Sequence, residues 1–351
     1  MRMRNLFVWS FLLLWLVSSC DEKIIEEEIH ISPDYTAANI NVFKKTARLN
    51  ASNISSATTE DLFVNRDFFV GENNLYVINN VTDNWSIEVF DRNALKHKST
   101  LKSWMEGDKS KSFGSAIFGV SENNGRLYVT NSSQVQIFDT NSLEFIARAG
   151  TGKWWSEEPI TLTNGFAAFS FKDKLFVRDR YNLVVFNESD LIKDKPQSEI
   201  KVVARTQKGI LSDMAYHSQH PISMAMHKDL LYLTDAGQKK LYVFDPETVV
   251  DSQPIPVHQE IQLSERPLSI TFFRDHLYIL CDGGQLLVYN AESNELVDKI
   301  VGIDKYLLET SVNRFAISAN GEGVSQIFIN DMTNKEITVG VVENVEIKIY
   351  E

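Results

Sequence analysis

Along most of the chain, short apolar runs rich in β-branched and aromatic residues alternate with breaks of Gly, Asn, Asp and Pro. The stretch Leu230–Val250 shows the unit. Leu231-Tyr232-Leu233 is followed by the turn Thr234-Asp235-Ala236-Gly237, then by Leu241-Tyr242-Val243-Phe244 and the break Asp245-Pro246. This pattern predicts a β-hairpin. Its first strand recurs as Leu75-Tyr76-Val77, Leu127-Tyr128-Val129, Leu175-Phe176-Val177, Leu277-Tyr278-Ile279 and Ile327-Phe328-Ile329, with the central aromatics 46 to 56 residues apart. Its second strand recurs as Ile87–Phe90, Val135–Phe138, Leu183–Phe186 and Leu286–Tyr289, and more weakly as Ile337-Thr338-Val339.

Each hairpin has an apolar run before it, such as Ala116–Val120 or Ile222–Met226. Runs such as Glu144–Ala147 and Glu295–Ile300 follow it. That makes four antiparallel strands per unit, with no room for a crossover helix. The inner two strands are apolar on both faces, as expected where sheets are covered on both sides. Four-stranded units at this period predict an all-β fold, a β-propeller, which protects its sheet edges by radial repetition. A stack of separate sandwiches leaves the regular recurrence unexplained. Six copies predict six blades. Ile40-Asn41-Val42-Phe43 resembles another second strand and fits a strand that closes the ring on the last blade. The alternative is a degenerate seventh blade shared with Val345-Glu346-Ile347-Lys348-Ile349.

The stretches Pro267–Thr271, His276–Ile279 and Leu286–Asn290, and likewise Pro221–Met224, Leu231–Asp235 and Val243–Pro246, resemble the NHL and YVTN families of propeller repeats. Tyr128-Val129-Thr130-Asn131 is the YVTN tetrapeptide itself. The resemblance spans roughly residues 60 to 351 and implies the fold. It does not imply an activity, because such propellers include enzymes, binding proteins and scaffolds.

The amino terminus departs from this pattern. Arg2 and Arg4 precede the apolar stretch Leu6–Val17, which is too short for a spanning helix and reads as a secretory signal. It ends in Leu16-Val17-Ser18-Ser19-Cys20, which resembles the bacterial lipobox and implies cleavage before Cys20 and acylation of that cysteine. The expected organisation is a signal peptide over 1–19, an acidic tether over 20–39 and one propeller domain over 40–351. Removing the signal takes two arginines and no acid, so Lys+Arg falls from 35 to 33 against 47 Asp+Glu, and net charge moves from −12 to −14. This balance argues against nucleic-acid binding, which needs a positive surface. The expected location is the bacterial cell envelope, anchored to membrane lipid. Cys281, the only other cysteine, lies in a predicted strand and reads as a buried, inert thiol.

Propeller topology sorts the loops. With strands A to D running from the inside outward, the B–C and D–A connections share a first face, and the A–B and C–D turns share a second. The second face holds short polar turns such as Glu122–Gly125 and Asp139–Ser142. The first carries Trp85, Trp104, Trp154 and Trp155, the run Arg178-Asp179-Arg180-Tyr181, the pair His217 and His220, Arg266 and Tyr306. Aromatic and arginine side chains on long loops suit the recognition of rings, sugars or peptides. The competing reading is that these aromatics fill gaps between blades.

Catalytic motifs are poor. His217 and His220 share one first-face loop, but no third ligand stands at metal-site spacing. Gly150-Thr151-Gly152-Lys153 lacks the glycine spacing of a phosphate loop. No cofactor is called for, and an enzymatic role is left uncertain. Three functions are carried forward. The first is a non-catalytic, membrane-anchored propeller that binds a small molecule, glycan or peptide on its first face, in partnership with an envelope transporter or membrane protein. The second is a protein–protein scaffold in envelope assembly. The third is a metal-dependent enzyme, similar to the lactonases and the peptide-amidating lyase built on such propellers.

Overall fold

The computed structural model describes residues 35–54, 67–81, 84–113, 116–131, 133–150, 162, 165, 167–193, 195–196, 199–212, 223–303, 315–319, 325–331 and 334–350. Its strands, in chain order, are β1 (Tyr35–Leu49); β2 (Phe68–Val70), β3 (Asn74–Val81), β4 (Asn84–Asp91) and β5 (His97–Leu101); and the hairpin β6 (Ser103–Glu106) and β7 (Lys109–Ser112). They continue with β8 (Ile117–Asn123), β9 (Arg126–Asn131), β10 (Val135–Asp139) and β11 (Phe145–Ala149), then β12 (Ala167–Phe171), β13 (Lys174–Arg178), β14 (Leu183–Asn187) and β15 (Val202–Thr206). Next come β16 (Met224–His227), β17 (Leu230–Asp235), β18 (Lys240–Phe244), the short β19 (Pro254–Ile255) and β20 (Gln259–Gln262). The last are β21 (Pro267–Phe273), β22 (His276–Cys281), β23 (Leu286–Asn290), β24 (Leu296–Val301), β25 (Phe315–Ala319), β26 (Ser325–Asp331) and β27 (Glu336–Tyr350). Residues Ile40–Val345 form one compact unit; the other comprises Met1–Asn39 and Glu346–Glu351.

The repeat read from the sequence is a repeat of register. The central aromatic of each first strand faces the same position of its partner: Tyr76 with Val89, Tyr128 with Ile137, Phe176 with Val185, Tyr232 with Val243, Tyr278 with Val288 and Phe328 with Val339. Directly after Val89, Ile137, Val185 and Val288 the register to the outer strand shifts by a bulge. A bulge at one repeated point bends and twists the outer strand. The inner strands are buried on both sides; Leu127, Tyr128, Val129, Val135 and Ile137 are all fully covered. The core therefore lies between sheets. Each hydrophobic cluster mixes two neighbours, as where Tyr76, Ile87 and Val89 meet Val120, Leu127 and Phe138.

Antiparallel four-strand sheets form over β2–β5, β8–β11 and β16–β18 with β20, and β12–β15 form a further one extended by the short parallel strand β19. An eight-stranded sheet runs β21-β22-β23-β24-β1-β27-β26-β25. Within it β1 pairs in parallel with β24, Asn41 facing Ile300 and Val42 facing Val301. On its other side β1 is tied to β27: the Thr46 hydroxyl donates to the Val339 carbonyl at 3.3 Å, and the Asn344 amide donates to Asn41 at 3.0 Å. Ile40–Phe43, the extra second-strand pattern, thus sits inside this sheet. Phe43 is 2% exposed and packs on Leu286, Ile300 and Ile327. Gly340 makes the fit possible, since a Cβ there would stand 2.5 Å from the Phe43 ring and 2.4 Å from the Lys44 carbonyl. The last strands meet the first sheet, with Leu49, Phe328, Ile337 and Val339 in one cluster with Phe68, Leu75 and Phe90. The fold is a propeller, closed on itself by its amino-terminal strand.

The C–D turns are closed by the residue that ends strand C. Asp91 accepts from the amides of Asn93 and Ala94, Asp139 from Asn141 and Ser142, Asp245 from Glu247, and Asn290 from Glu292 and Ser293. Leu95, Leu143 and Asn294, four residues after the cap, take left-handed backbone with φ near 55°. Backbone amides, Ala94 foremost for Asp91 and Ser142 for Asp139, hold both carboxyls below their ordinary range.

Candidate functional site

The innermost strands β2, β8, β12, β16, β21 and β25 surround a cavity of about 310 Å³. The sequence marks this wall only faintly, by small residues (Gly119, Ala167, Ser223, Ser269) in the strands that crowd the axis. Serine hydroxyls here tie sheet to sheet. Ser121 donates to the Ala168 carbonyl at 2.6 Å and Ser223 to the Ile270 carbonyl at 3.2 Å. Polar and apolar atoms share the wall about equally. Asp67, Ser223 and Ser269 stand at the first-face ends of the lining stretches, and Val70, Met226 and Phe272 at the second-face ends. Among the described lining residues, polar side chains share the first-face end with Gly119, Ala167 and Phe315, and apolar ones predominate at the second-face end beside Ser121. At the apolar end His227 stacks on Phe272 at 4.5 Å, and burial pushes its pKa down. Among the described residues, Asp67 is the one ionisable side chain that lines the cavity, and no three His, Cys, Asp or Glu side chains cluster as a metal site would need.

The candidate residues taken from the sequence fall in different surroundings. Trp85, at the start of β4, is 8% exposed and packs with Ile78, Ile87 and Val120 between the first two sheets. Trp104 is also 8% exposed. It lies in β6, a hairpin the hydropathy pattern did not reveal because β7 is the polar run Lys109-Ser110-Lys111-Ser112. Its indole is 5.0 Å from Phe113, 5.4 Å from Phe138 and 6.0 Å from Phe145. Phe138 and Phe145 flank a C–D turn, so this connection runs down the outside of the propeller instead of resting on the first face. Both indoles are core residues; their faces are taken up by protein, which corrects the expectation that they meet a ligand.

Arg178 is corrected in the same way. At 1% exposure its guanidinium is a structural clamp. It donates to the carbonyls of Asp179 and Asn182, closing the B–C turn, and to that of Ser212 at 3.0 Å in the following connection. Ser212 is held from its other side by buried Asp235, which accepts from its amide at 2.8 Å and its hydroxyl at 2.6 Å. Asp235 also accepts from the Gln238 amide and so caps its own turn, as Asn131 and Asp331 cap theirs. Sequence reading missed Ser212 and Asp235 as anchors. The signal was the Asn or Asp that ends strand B in several repeats. Arg205, beside this cluster, has its pKa lowered by burial, against the opposing pull of Asp179.

Arg180 and Tyr181 remain partly open to solvent, the Arg180 guanidinium lying 4.7 Å from the Tyr181 ring centre. Arg266 is half-buried and pairs with Asp282 at 3.5 Å. Trp154, Trp155, His217, His220, Tyr306 and Cys20 lie outside the described residues. Cys281 is fully buried, and desolvation pushes its thiol up to about 12, so it is inert in the folded protein.

No family model matches the chain, and no curated protein matches it. Among solved structures it is similar to Saccharomyces cerevisiae Sqt1, at 11% identity and a TM-score of 0.44, over 78% of this chain and 70% of that one.

Proposed function

We propose that the chain is a six-bladed propeller of the NHL/YVTN type. Exported and anchored in the bacterial cell envelope through acylated Cys20, it binds a small molecule, glycan or peptide on its first face without catalysing a reaction. The blade number is supported by the repeated register and by the ring of innermost strands. The observation that carries the binding role is the axial cavity, which places Asp67, Ser223 and Ser269 at its first-face end and lies within the size range of small-ligand sites. The Arg180–Tyr181 pair stands partly open on the same face, with the guanidinium over the ring.

Thermal-shift screening of mono- and oligosaccharides and short peptides, followed by titration of the hits, tests the site. Arg180→Ala with Tyr181→Ala should weaken binding about tenfold, worth ~1.4 kcal/mol. Hits that bind the double variant as tightly as the wild type would reject the first-face site. For the anchor, radiolabelled palmitate should enter the wild-type chain expressed in a bacterial host and not Cys20→Ala. An unlabelled wild type would reject acylation.

A further inference from the structure

The outermost strands of the sheets are not alike. β15 is covered by the parallel strand β19, and β24 by β1. β5 (His-Lys-Ser-Thr-Leu) and β20 (Gln-Glu-Ile-Gln) end their sheets with polar, charged sequences. Such sequences are how natural sheets discourage pairing at an edge. β11 ends its sheet with Phe145-Ile146-Ala147-Arg148-Ala149, which is largely apolar. It does not abut smooth surface. A groove of about 270 Å³ runs beside it, walled by the β6–β7 hairpin on one side and by Ile192, Lys193, Lys195, Pro196 and Ile200 on the other. Met105 at 58% and Ile192 at 50% exposure stand on opposite walls, two of the largest apolar side chains left in solvent.

The rim is cationic on a protein of net charge −12. Arg148 is matched by Glu106 at 3.2 Å and Lys195 by Asp190, while Lys193 is exposed and has no ion-pair partner among the described residues. A free sheet edge, alternating apolar contacts and an unmatched cation together match one kind of occupant. We propose that the β11 edge docks an extended segment of a partner protein, with apolar side chains at alternate positions and an acidic residue placed to meet Lys193, which adds to the sheet as a further strand. Backbone hydrogen bonds to the edge would give affinity, and Met105, Ile192 and Lys193 would select the sequence. This site stands apart from the first-face site and does not rest on it.

The test uses the full propeller chain and a fluorescent peptide of alternating glutamate and valine. Anisotropy should report saturable binding, weakened by salt and at least about tenfold stronger than for the lysine–valine peptide of the same length. Met105→Glu with Ile192→Glu, both at exposed positions, should reduce affinity about tenfold or more at unchanged circular dichroism. Arg180→Ala with Tyr181→Ala should leave it unchanged, which separates this site from the first face. Amide exchange over Phe145–Ala149 should slow when the peptide binds. Equal binding of the acidic and basic peptides, or binding that leaves β11 exchange unprotected, would overturn the proposal. So would the absence of binding.

Discussion

On the second face, the turns satisfy themselves. Asp91, Asp139, Asp245 and Asn290 bind amides two or three residues away. Neighbouring sheets are linked there by ion pairs at matching places, Arg126 with Glu188 at 3.7 Å, Lys172 with Glu247 and Lys228 with Glu292. On the first face local caps at Asn131, Asp235 and Asp331 are joined by buried long-range ties. Arg178 reaches a carbonyl 34 residues on, and Asp235 holds a serine 23 residues back. Both are buried to within 2% of full cover. Local turns tolerate a lost contact because water replaces it. A buried clamp between separate connections has no such substitute, so the first face is where polar groups are expensive to disturb.

Five substitutions sharpen or break this contrast, each read by chemical denaturation. Arg178→Met should cost the most, about 3 kcal/mol or more, because three carbonyls lose a donor at once and the link to Ser212 is broken. Arg178→Lys should recover only part of that, since an ammonium lacks the planar fork. Asp235→Ala should cost about 2 kcal/mol by stranding the Ser212 and Gln238 amides. Asp139→Ala, on the second face, should cost about 1 kcal/mol, as the loss of a cap does. Lys172→Ala should leave stability unchanged within error, because its pair is exposed. If Arg178→Met were no worse than Asp139→Ala, the contrast between the faces would fail.

Asp91 and Asp139 also set a pH arm. Their folded carboxyls titrate below the ordinary range, so on acidification the unfolded chain takes up these protons first. Their contribution is complete above the ordinary carboxylate pKa of about 4 and is lost as pH falls through and below it. Asp139→Ala should flatten this acid limb of stability measured against pH. An unchanged limb would mean other carboxylates carry it.

The sequence alone determined the repeat. Leucine, valine and aromatic residues on both faces of the inner strands can be buried only between sheets, and Gly and Asx breaks leave room only for tight turns. Strand pairing within each unit and the burial of Cys281 follow from that local chemistry. What tertiary structure decided is which polar and aromatic residues of the connections face outward. Trp85, Trp104 and Arg178 look in sequence like the parts of a binding face, yet packing takes them inside. Met224, Met226 and Phe272 look like ordinary strand residues, yet ring closure sets them around a cavity. The unpaired edge of β11 contrasts with β15 and β24, which strands far away in sequence cover. A strand's own residues determine that it pairs; the rest of the chain determines whether an edge remains for something else to pair with.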